Sequence, residues 1–229
     1  MTAPGSTRTR GWFITIEGPE GAGKTTQAER LVAWLAARGH DVLSTREPGG
    51  TWLGERIREI LLARTGTGGR SDPLTDALLF DAARRQLVTE VLRPALAAGR
   101  TVVCARYADS TLAYQGYGAG VPIHVLRALE AAATEGLRPD LTLLLDLPVE
   151  AGLARKSPDD VTRFEAEFDL AFHRRVRDGF LAMAETEPAR FAVIDATQDL
   201  DAVAAAMVRA VDERLARSEP RAAATRIER

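Results

Sequence analysis

Gly18-Pro-Glu-Gly-Ala-Gly-Lys24-Thr25 is the stretch of this 229-residue chain that decides the fold. It follows an apolar segment, Trp12-Phe-Ile-Thr-Ile16, whose pattern predicts a buried strand. It leads into a segment from Lys24 to Arg38 that is predicted to be a helix closed by Gly39. Glycines between a strand and a helix let backbone N–H groups turn inward around phosphate oxygens, and the helix N-terminus adds the positive end of its dipole. The stretch therefore predicts a phosphate-binding loop of the P-loop type.

The side chains of this loop indicate a nucleoside triphosphate as the ligand. Lys24 would reach the β- and γ-phosphates of ATP, and the hydroxyl of Thr25 would ligate Mg²⁺. The alternative is a glycine-rich turn that matches by chance, which the flanking strand and helix disfavour. The motif alone does not identify the phosphate acceptor. The predicted ATP-binding residues are Gly18, Pro19, Glu20, Gly21, Ala22, Gly23, Lys24, Thr25 and Thr26.

Short apolar segments alternate with helical segments along the chain. Strands that are apolar on both faces are typical of a parallel sheet covered by helices on both sides. We therefore predict an α/β protein with the three-layer P-loop NTPase fold and a five-stranded parallel sheet. Its ligands should bind beyond the carboxyl ends of the strands. The predicted strands are Trp12–Ile16, Asp41–Thr45, Thr101–Ala105, Leu141–Leu145 and Phe191–Ile194, and the longest predicted helices are Asp76–Ala98, Glu165–Glu187 and Leu200–Arg217.

Composition limits the class of protein. With 45% hydrophobic residues, the chain can fill one domain, predicted at 12–217 between flexible ends at 1–11 and 218–229. The formal net charge of -2 provides no basic field for nucleic acid, and no apolar run is long enough to span a membrane. We expect neither as a partner. Cys104 is the single cysteine, which excludes an intrachain disulfide and favours a cytoplasmic location.

Four further motifs indicate the acceptor. They are Thr45-Arg-Glu-Pro-Gly-Gly-Thr51, Leu79-Phe-Asp-Ala-Ala-Arg-Arg85, Arg106-Tyr-Ala-Asp-Ser-Thr-Leu-Ala-Tyr-Gln-Gly-Tyr117 and Arg138-Pro-Asp-Leu-Thr142. In this order, from about Phe13 to Thr197, the chain closely resembles bacterial thymidylate (dTMP) kinases. The resemblance implies transfer of the γ-phosphoryl group of ATP to dTMP with Mg²⁺, giving dTDP and ADP for dTTP synthesis. It also implies a homodimer packed through helices.

The resemblance assigns roles on the acceptor side. Phe80 would stack on thymine while Arg84, one helical turn further on, donates to a base carbonyl. Arg58 and Arg106 would hold the dTMP phosphate, a task that suits paired guanidinium donors. The predicted dTMP-binding residues are Glu47, Pro48, Arg58, Phe80, Arg84, Arg106, Thr111, Tyr114 and Gln115, and the predicted catalytic residues are Lys24, Arg106, Arg155 and Arg163.

A lid over ATP is expected near residues 150–165. Relatives carry the catalytic cation either as an arginine inside the P-loop or as basic residues in the lid. Gly21 stands at the P-loop position, so the resemblance implies dependence on the lid, with Arg155 and Arg163 as the candidates. Lys156, one of only two lysines, is the third candidate, although a solvated surface position is favoured for it.

Two positions depart from the family pattern. Ala105 stands where an aspartate usually precedes Arg-Tyr, and Thr162 replaces an aspartate in the lid. Glu17, at the end of the first strand, could take over near the metal and joins Thr25 as a candidate metal-site residue. Three explanations stay open: an active kinase that uses Glu17, a slow kinase or one for a variant nucleotide, and an engineered Ala105. The competing functions are another P-loop nucleotide kinase and a nucleotide-binding protein without catalysis.

Overall fold

The computed structural model describes residues 10–63, 71–157 and 162–218. Within them, five parallel strands form one sheet in the order β2-β3-β1-β4-β5. The P-loop follows the central strand β1, whose Ile16 pairs with Ala105 of β3 on one side and with Leu143 of β4 on the other. The parallel sheet predicted from the sequence is confirmed. The strands are β1 Phe13–Glu17, β2 Val42–Arg46, β3 Thr101–Ala105, β4 Leu141–Asp146 and β5 Phe191–Asp195.

Helices surround the sheet and connect its strands. Parts of three predicted segments lie outside the described residues, namely 1–9, 158–161 of the lid, and 219–229. No helix in the described ranges is long and apolar enough to cross a membrane. The helices are α1 Lys24–Ala37, α2 Trp52–Leu62, α3 Pro73–Leu87, α4 Arg93–Ala97, α5 Ala108–Thr111, α6 Ile123–Thr134, α7 Val149–Ala154, α8 Arg163–Glu167, α9 Leu170–Thr186 and α10 Leu200–Ser218, with π-helical segments at Val88–Leu92 and Leu112–Gly118.

The alternation of side chains along β1 places a hydrophobic core on each face of the sheet. Ile14 and Ile16 belong to the core that includes Leu31 of α1 and Met207 of α10. Phe13, which faces the other way, belongs to the core with Leu87 of α3. Because both faces of β1 are buried, the strand and the loop after it have a fixed position.

Two predicted helices are wrong in their extent. The helix predicted at Asp76–Ala98 begins earlier, because Asp72 accepts hydrogen bonds from the backbone N–H groups of Leu74 and Thr75, and it is interrupted by the first π-helical segment. The single helix predicted at Glu165–Glu187 is two helices, α8 and α9. Asp169 lies between them and caps α9 by accepting from the N–H of Phe172 at 2.8 Å. Capping side chains favour a helix start over a continuous helix.

Candidate functional site

A cavity of about 1420 Å³ is lined by the segments that follow all five strands of the sheet. This is the edge of the sheet where the sequence predicted ligands to bind. The structure brings most of the predicted site residues to this cavity. Those that line it are Glu20, Gly21, Gly23, Lys24, Thr25, Thr26, Glu47, Pro48, Arg58, Phe80, Arg84, Arg106, Thr111, Tyr114, Gln115 and Arg155.

Lys24 begins α1 and folds back over the phosphate-binding loop. Its Nζ donates to the carbonyl oxygens of Gly18 at 3.0 Å and Pro19 at 2.7 Å. Burial, followed by the nearby charge of Arg106, lowers the pKa of Lys24 to about 7, although Glu20 and Glu17 oppose the shift. A phosphate group would add negative charge beside Nζ and favour the ammonium form. The two hydrogen bonds therefore keep the Nζ of Lys24 near the N-terminus of α1, where anions bind well.

Gly21 packs against the backbone of α7 so closely that no side chain fits. A Cβ at this position would lie 1.9 Å from the carbonyl oxygen of Gly152, and the φ of Gly21 is +70°. A Cβ on Gly152 would in turn lie 2.2 Å from the carbonyl oxygen of Glu20. The loop and α7 are thus in backbone contact at two glycines. An arginine cannot replace Gly21 without separating them, which gives a physical reason for this loop having no arginine.

Arg106 joins the loop to the acceptor side of the cavity. It has a left-handed φ of 68°, and its N–H donates to the carbonyl of Ile16 at 2.9 Å. Its guanidinium lies 2.8 Å from Glu20, which also accepts from the hydroxyl of Tyr114 at 2.7 Å. Although burial opposes it, the charges of Arg106 and Lys24 hold the pKa of Glu20 well below its usual range. Glu20 is therefore a fixed anion among the cations that face the cavity.

Arg84 is the largest fully buried side chain of the acceptor side, with 1% of its surface exposed. Its Nε donates to Glu47 at 2.9 Å, and one terminal nitrogen donates to Thr111 Oγ1 at 2.9 Å. The other terminal nitrogen forms a short contact with Asp81. Two carboxylates and a hydroxyl fix the plane of the guanidinium. Asp81 was not predicted as a site residue, because nothing in the sequence distinguishes it from an exposed helix residue.

Phe80, Tyr114 and Phe164 form an aromatic wall of the cavity. The rings of Tyr114 and Phe164 meet edge-on with centroids 5.7 Å apart, and those of Phe80 and Phe164 are 6.4 Å apart. Sequence reasoning missed Phe164 and Thr162, which both line the cavity. The available signal was an aromatic residue directly after Arg163 in an otherwise polar segment.

Comparison with known proteins identifies the family. The family model described as thymidylate kinase matches residues 16–207. This chain belongs to the thymidylate kinase family. It is 54% identical over 205 residues to the thymidylate kinase of Deinococcus radiodurans, covering 90% of this chain and 98% of the relative. It is 50% identical over 208 residues to that of Caulobacter vibrioides, covering 90% and 99%.

A solved structure agrees with this assignment. The crystal structure of thymidylate kinase from Ehrlichia chaffeensis superposes with a TM-score of 0.71 at 32% sequence identity. The match covers 88% of this chain and 98% of that chain. The P-loop NTPase fold predicted from the sequence is thereby confirmed.

Two further arginines line the cavity. Arg58 of α2 donates to the carbonyl oxygen of Pro48 at 3.0 Å, and burial lowers its pKa. Arg155, at the end of α7, donates to the carbonyl oxygen of Ala196 at 3.0 Å. Each arginine thus donates to a backbone carbonyl and lines the cavity.

Arg163 does not join them. It is buried, with 3% of its surface exposed, and it is not among the described residues that line the cavity. Its guanidinium lies 2.7 Å from Asp76 of α3. The structure therefore separates the two lid arginines: Arg155 faces the cavity, and Arg163 is paired inside the protein.

Four other predicted site residues are not among the described residues that line the cavity. They are Gly18, Pro19, Ala22 and Glu17. Glu17 is fully buried, and its two carboxylate oxygens accept from the N–H of Tyr107 and from Ser110 Oγ, each at 2.6 Å. Burial, followed by the charge of Asp109, raises the pKa of Glu17 to about 7. In this arrangement Glu17 fixes the segment that carries Arg106.

The donors for a metal ion are few. Among the described residues, no group of three or more His, Cys, Asp or Glu side chains could hold a metal ion. The exposed Thr25 hydroxyl lies at the cavity, as a P-loop metal ligand should. Mg²⁺ commonly uses one or two protein oxygens together with substrate phosphates and water. The residues present therefore fit Mg²⁺ that arrives with a nucleotide.

Gly21→Ala should destabilise the protein more than Gly39→Ala. Both glycines have a left-handed φ, +70° and +84°, but a Cβ on Gly39 meets nothing within 4 Å. The control, Gly39→Ala, should lose about 1–2 kcal/mol of unfolding free energy from its left-handed φ alone. Gly21→Ala should lose at least about 1 kcal/mol more, because its Cβ clashes with Gly152. Urea unfolding measures both losses. Equal losses would show that the loop and α7 are not in close contact.

Glu17→Gln should change how stability depends on pH. The pKa of Glu17 is about 7 in the folded protein against an ordinary value of 4.5. The folded state then keeps a proton that the unfolded state loses, so this stability is present at low pH and is lost as the pH rises through the folded pKa. Relative to wild type, the free energy of unfolding of the variant should rise by up to about 3 kcal/mol as the pH increases from about 5 to about 8. Parallel curves of unfolding free energy against pH would contradict the raised pKa.

Proposed function

We propose that this chain transfers the γ-phosphoryl group of ATP to dTMP, giving dTDP and ADP. The observation that carries the proposal is one cavity that is lined both by the phosphate-binding loop and by Phe80, Arg84 and Tyr114. A donor nucleotide and an acceptor nucleotide can meet in such a cavity. Membership of the thymidylate kinase family supports dTMP as the acceptor. Neither the cavity nor the comparisons support the alternative of an impaired nucleotide-binding protein.

On the donor side, backbone N–H groups of the loop and the N-terminus of α1 would bind the phosphates of ATP. Lys24 would exchange its loop carbonyls for phosphate oxygens, since an ammonium group on a flexible stem redirects its donors easily. Thr25 would hold Mg²⁺, which supplies positive charge to the phosphate oxygens when bound. A role of Glu17 at the metal stays a prediction, and its two hydrogen bonds to Tyr107 and Ser110 favour a positional role instead.

On the acceptor side, Phe80 would stack on the thymine ring while Arg84 presents a guanidinium edge fixed by Glu47 and Asp81. Thr111 and Gln115 lie along the same wall and would face the base edge. Pro48 and Tyr114 would shape the space around the sugar, and Arg58 and Arg106 would bind the acceptor phosphate. The guanidinium fork suits phosphate oxygens.

Phosphoryl transfer requires cations around the transferred group more than it requires covalent chemistry. Lys24, Arg106 and Arg155 all line the cavity and are proposed for this role. Ala105 ends β3 without a carboxylate, and its carbonyl oxygen accepts from the N–H of Glu47 at 3.0 Å. Arg106, the next residue, is oriented by Glu20 and not by residue 105. A cytoplasmic location stays a prediction.

The function is tested by an ADP-release assay with ATP, Mg²⁺ and a panel of dTMP, dUMP, dCMP, UMP and thymidine. We expect dTMP to have the highest kcat/KM. Phe80→Ala should raise the KM for dTMP about 10- to 100-fold, because base stacking on an aromatic side chain contributes about 1–3 kcal/mol. The KM for ATP should stay within about twofold and serves as the control. Preference for another acceptor would overturn the proposal.

We further propose that the chain forms a homodimer through α2 and α3, which pack against each other. Their outer surface exposes Trp52 (77%), Ile60 (65%) and Leu78 (50%). Large apolar side chains grouped on neighbouring helices are typical of a surface that another subunit covers. The sequence alone does not show which helices carry this subunit contact.

Ile60→Asp should shift the dimer to monomer, since it introduces a charge into an apolar contact. Light scattering coupled to size-exclusion chromatography measures the mass. Val193→Asp is the matched control, because Val193 is similarly exposed (52%) but lies on β5 at the opposite edge of the sheet from β2. A monomeric wild type, or dissociation by the control alone, would contradict the proposed interface.

A further inference from the structure

Arg163 connects the short helix α8 to two helices of the acceptor side. Beside its ion pair with Asp76, it donates to the carbonyl oxygen of Leu61 near the end of α2 and to Ser71 Oγ. Ser71 Oγ donates in turn to the other carboxylate oxygen of Asp76 at 2.6 Å. The guanidinium thus donates to a helix-end carbonyl and a hydroxyl and pairs its charge with a buried carboxylate.

This arrangement does not present Arg163 to the cavity in which the phosphates would bind. Neither Arg163 nor Asp76 is among the described residues that line the cavity, and both are almost fully buried. If Arg163 turned toward the phosphates, it would leave the carboxylate of Asp76 buried without its counter-charge, which is strongly unfavourable. Arg163, which the resemblance implied as a catalytic cation of the lid, is therefore paired with Asp76 instead.

The neighbours of Arg163 in sequence face the opposite way. Thr162 and Phe164 both line the cavity, and the ring of Phe164 contacts Tyr114 and approaches Phe80. The guanidinium carbon of Arg163 also lies 4.8 Å from the centre of the Phe164 ring. Beside the packing of Phe164 against Phe80, Arg163 therefore attaches this piece of the cavity wall to α2 and α3 through polar contacts.

Helix α8 depends on such an attachment because it has only five residues. Helices this short are not stable by themselves, and tertiary contacts decide where they lie. We propose that Arg163 is a positioning residue for the acceptor pocket: through Asp76 it fixes Phe164 against Phe80 and Tyr114. It acts on acceptor binding and not as a cation of the transition state. This inference rests on the proposed function, which turnover of dTMP by the wild-type enzyme tests separately.

Steady-state kinetics of Arg163→Met and Asp76→Asn distinguish the two roles. A positioning role predicts that both variants raise the KM for dTMP by about tenfold, with kcat at saturating dTMP within about threefold of wild type and the KM for ATP unchanged. The double variant should be no worse than either single variant, since both remove the same pair. A catalytic cation predicts a large fall in kcat for Arg163→Met and near-normal kinetics for Asp76→Asn, and that result would overturn the proposal.

Arg177→Met is the matched control. Arg177 likewise forms an ion pair, with Asp146 at 2.7 and 2.8 Å, and does not line the cavity, but among the described residues it has no hydrogen bond or ion pair to the acceptor side. It should leave the KM for dTMP unchanged. If Arg163→Met does not fold, Arg163→Lys and Asp76→Asn decide the question, together with the rise in melting temperature that dTMP produces without ATP. A dTMP-induced rise equal to that of wild type in both variants would show that the ion pair is only structural.

Discussion

The ion pair between Glu20 and Arg106 is the contact on which the geometry of the site depends. Glu20 belongs to the phosphate-binding loop, whereas Arg106 and Tyr114 belong to the acceptor side, and all three polar groups meet within 3.3 Å of one another. One carboxylate thus sets the distance between the two halves of the cavity. Removing any of the three would leave a nearly buried charge or hydroxyl without its partner. Since phosphoryl transfer depends on how donor and acceptor are aligned, this pair controls the reaction geometry before either substrate is bound.

The same loop is held on its other side by backbone packing. Gly21 and Gly152 bring the loop and α7 so close that neither position accepts a Cβ. This contact fixes α7 near its C-terminal end, three residues before Arg155, whose side chain lines the cavity. The absence of an arginine from the loop and the presence of a cation at the end of α7 therefore have one physical cause. A side chain at residue 21 would displace the helix that supplies the charge.

The sequence predicted the sheet and the phosphate-binding loop well because both depend on local patterns. Strand β1 is an apolar run, and the glycines that follow it permit the backbone geometry that the loop needs. The roles of single charged residues were harder to predict. Arg155 and Arg163 stand in the same polar segment, yet the first faces the cavity and the second pairs with Asp76, 87 positions away in the sequence. Similarly, Arg190 forms a buried two-point ion pair with Asp109, and no local sequence pattern indicates it. Long-range pairing of this kind is decided by tertiary packing.

The two lysines of the chain show that a rare residue type, taken together with its position, can indicate a functional role. The sequence interpretation singled out Lys24 and treated Lys156 as solvated, but Lys156 lies 3.7 Å from Glu20 with only 19% of its side chain exposed. Both lysines act with Arg106 to lower the pKa of Glu20. Arginine forks suit fixed contacts, as in Arg84 and Arg163, whereas an ammonium group can redirect its donors without a planar geometry. Each lysine therefore lies where the loop anion and the incoming phosphates compete for the same positive charge, whereas Arg84 and Arg163 lie where the partner does not change.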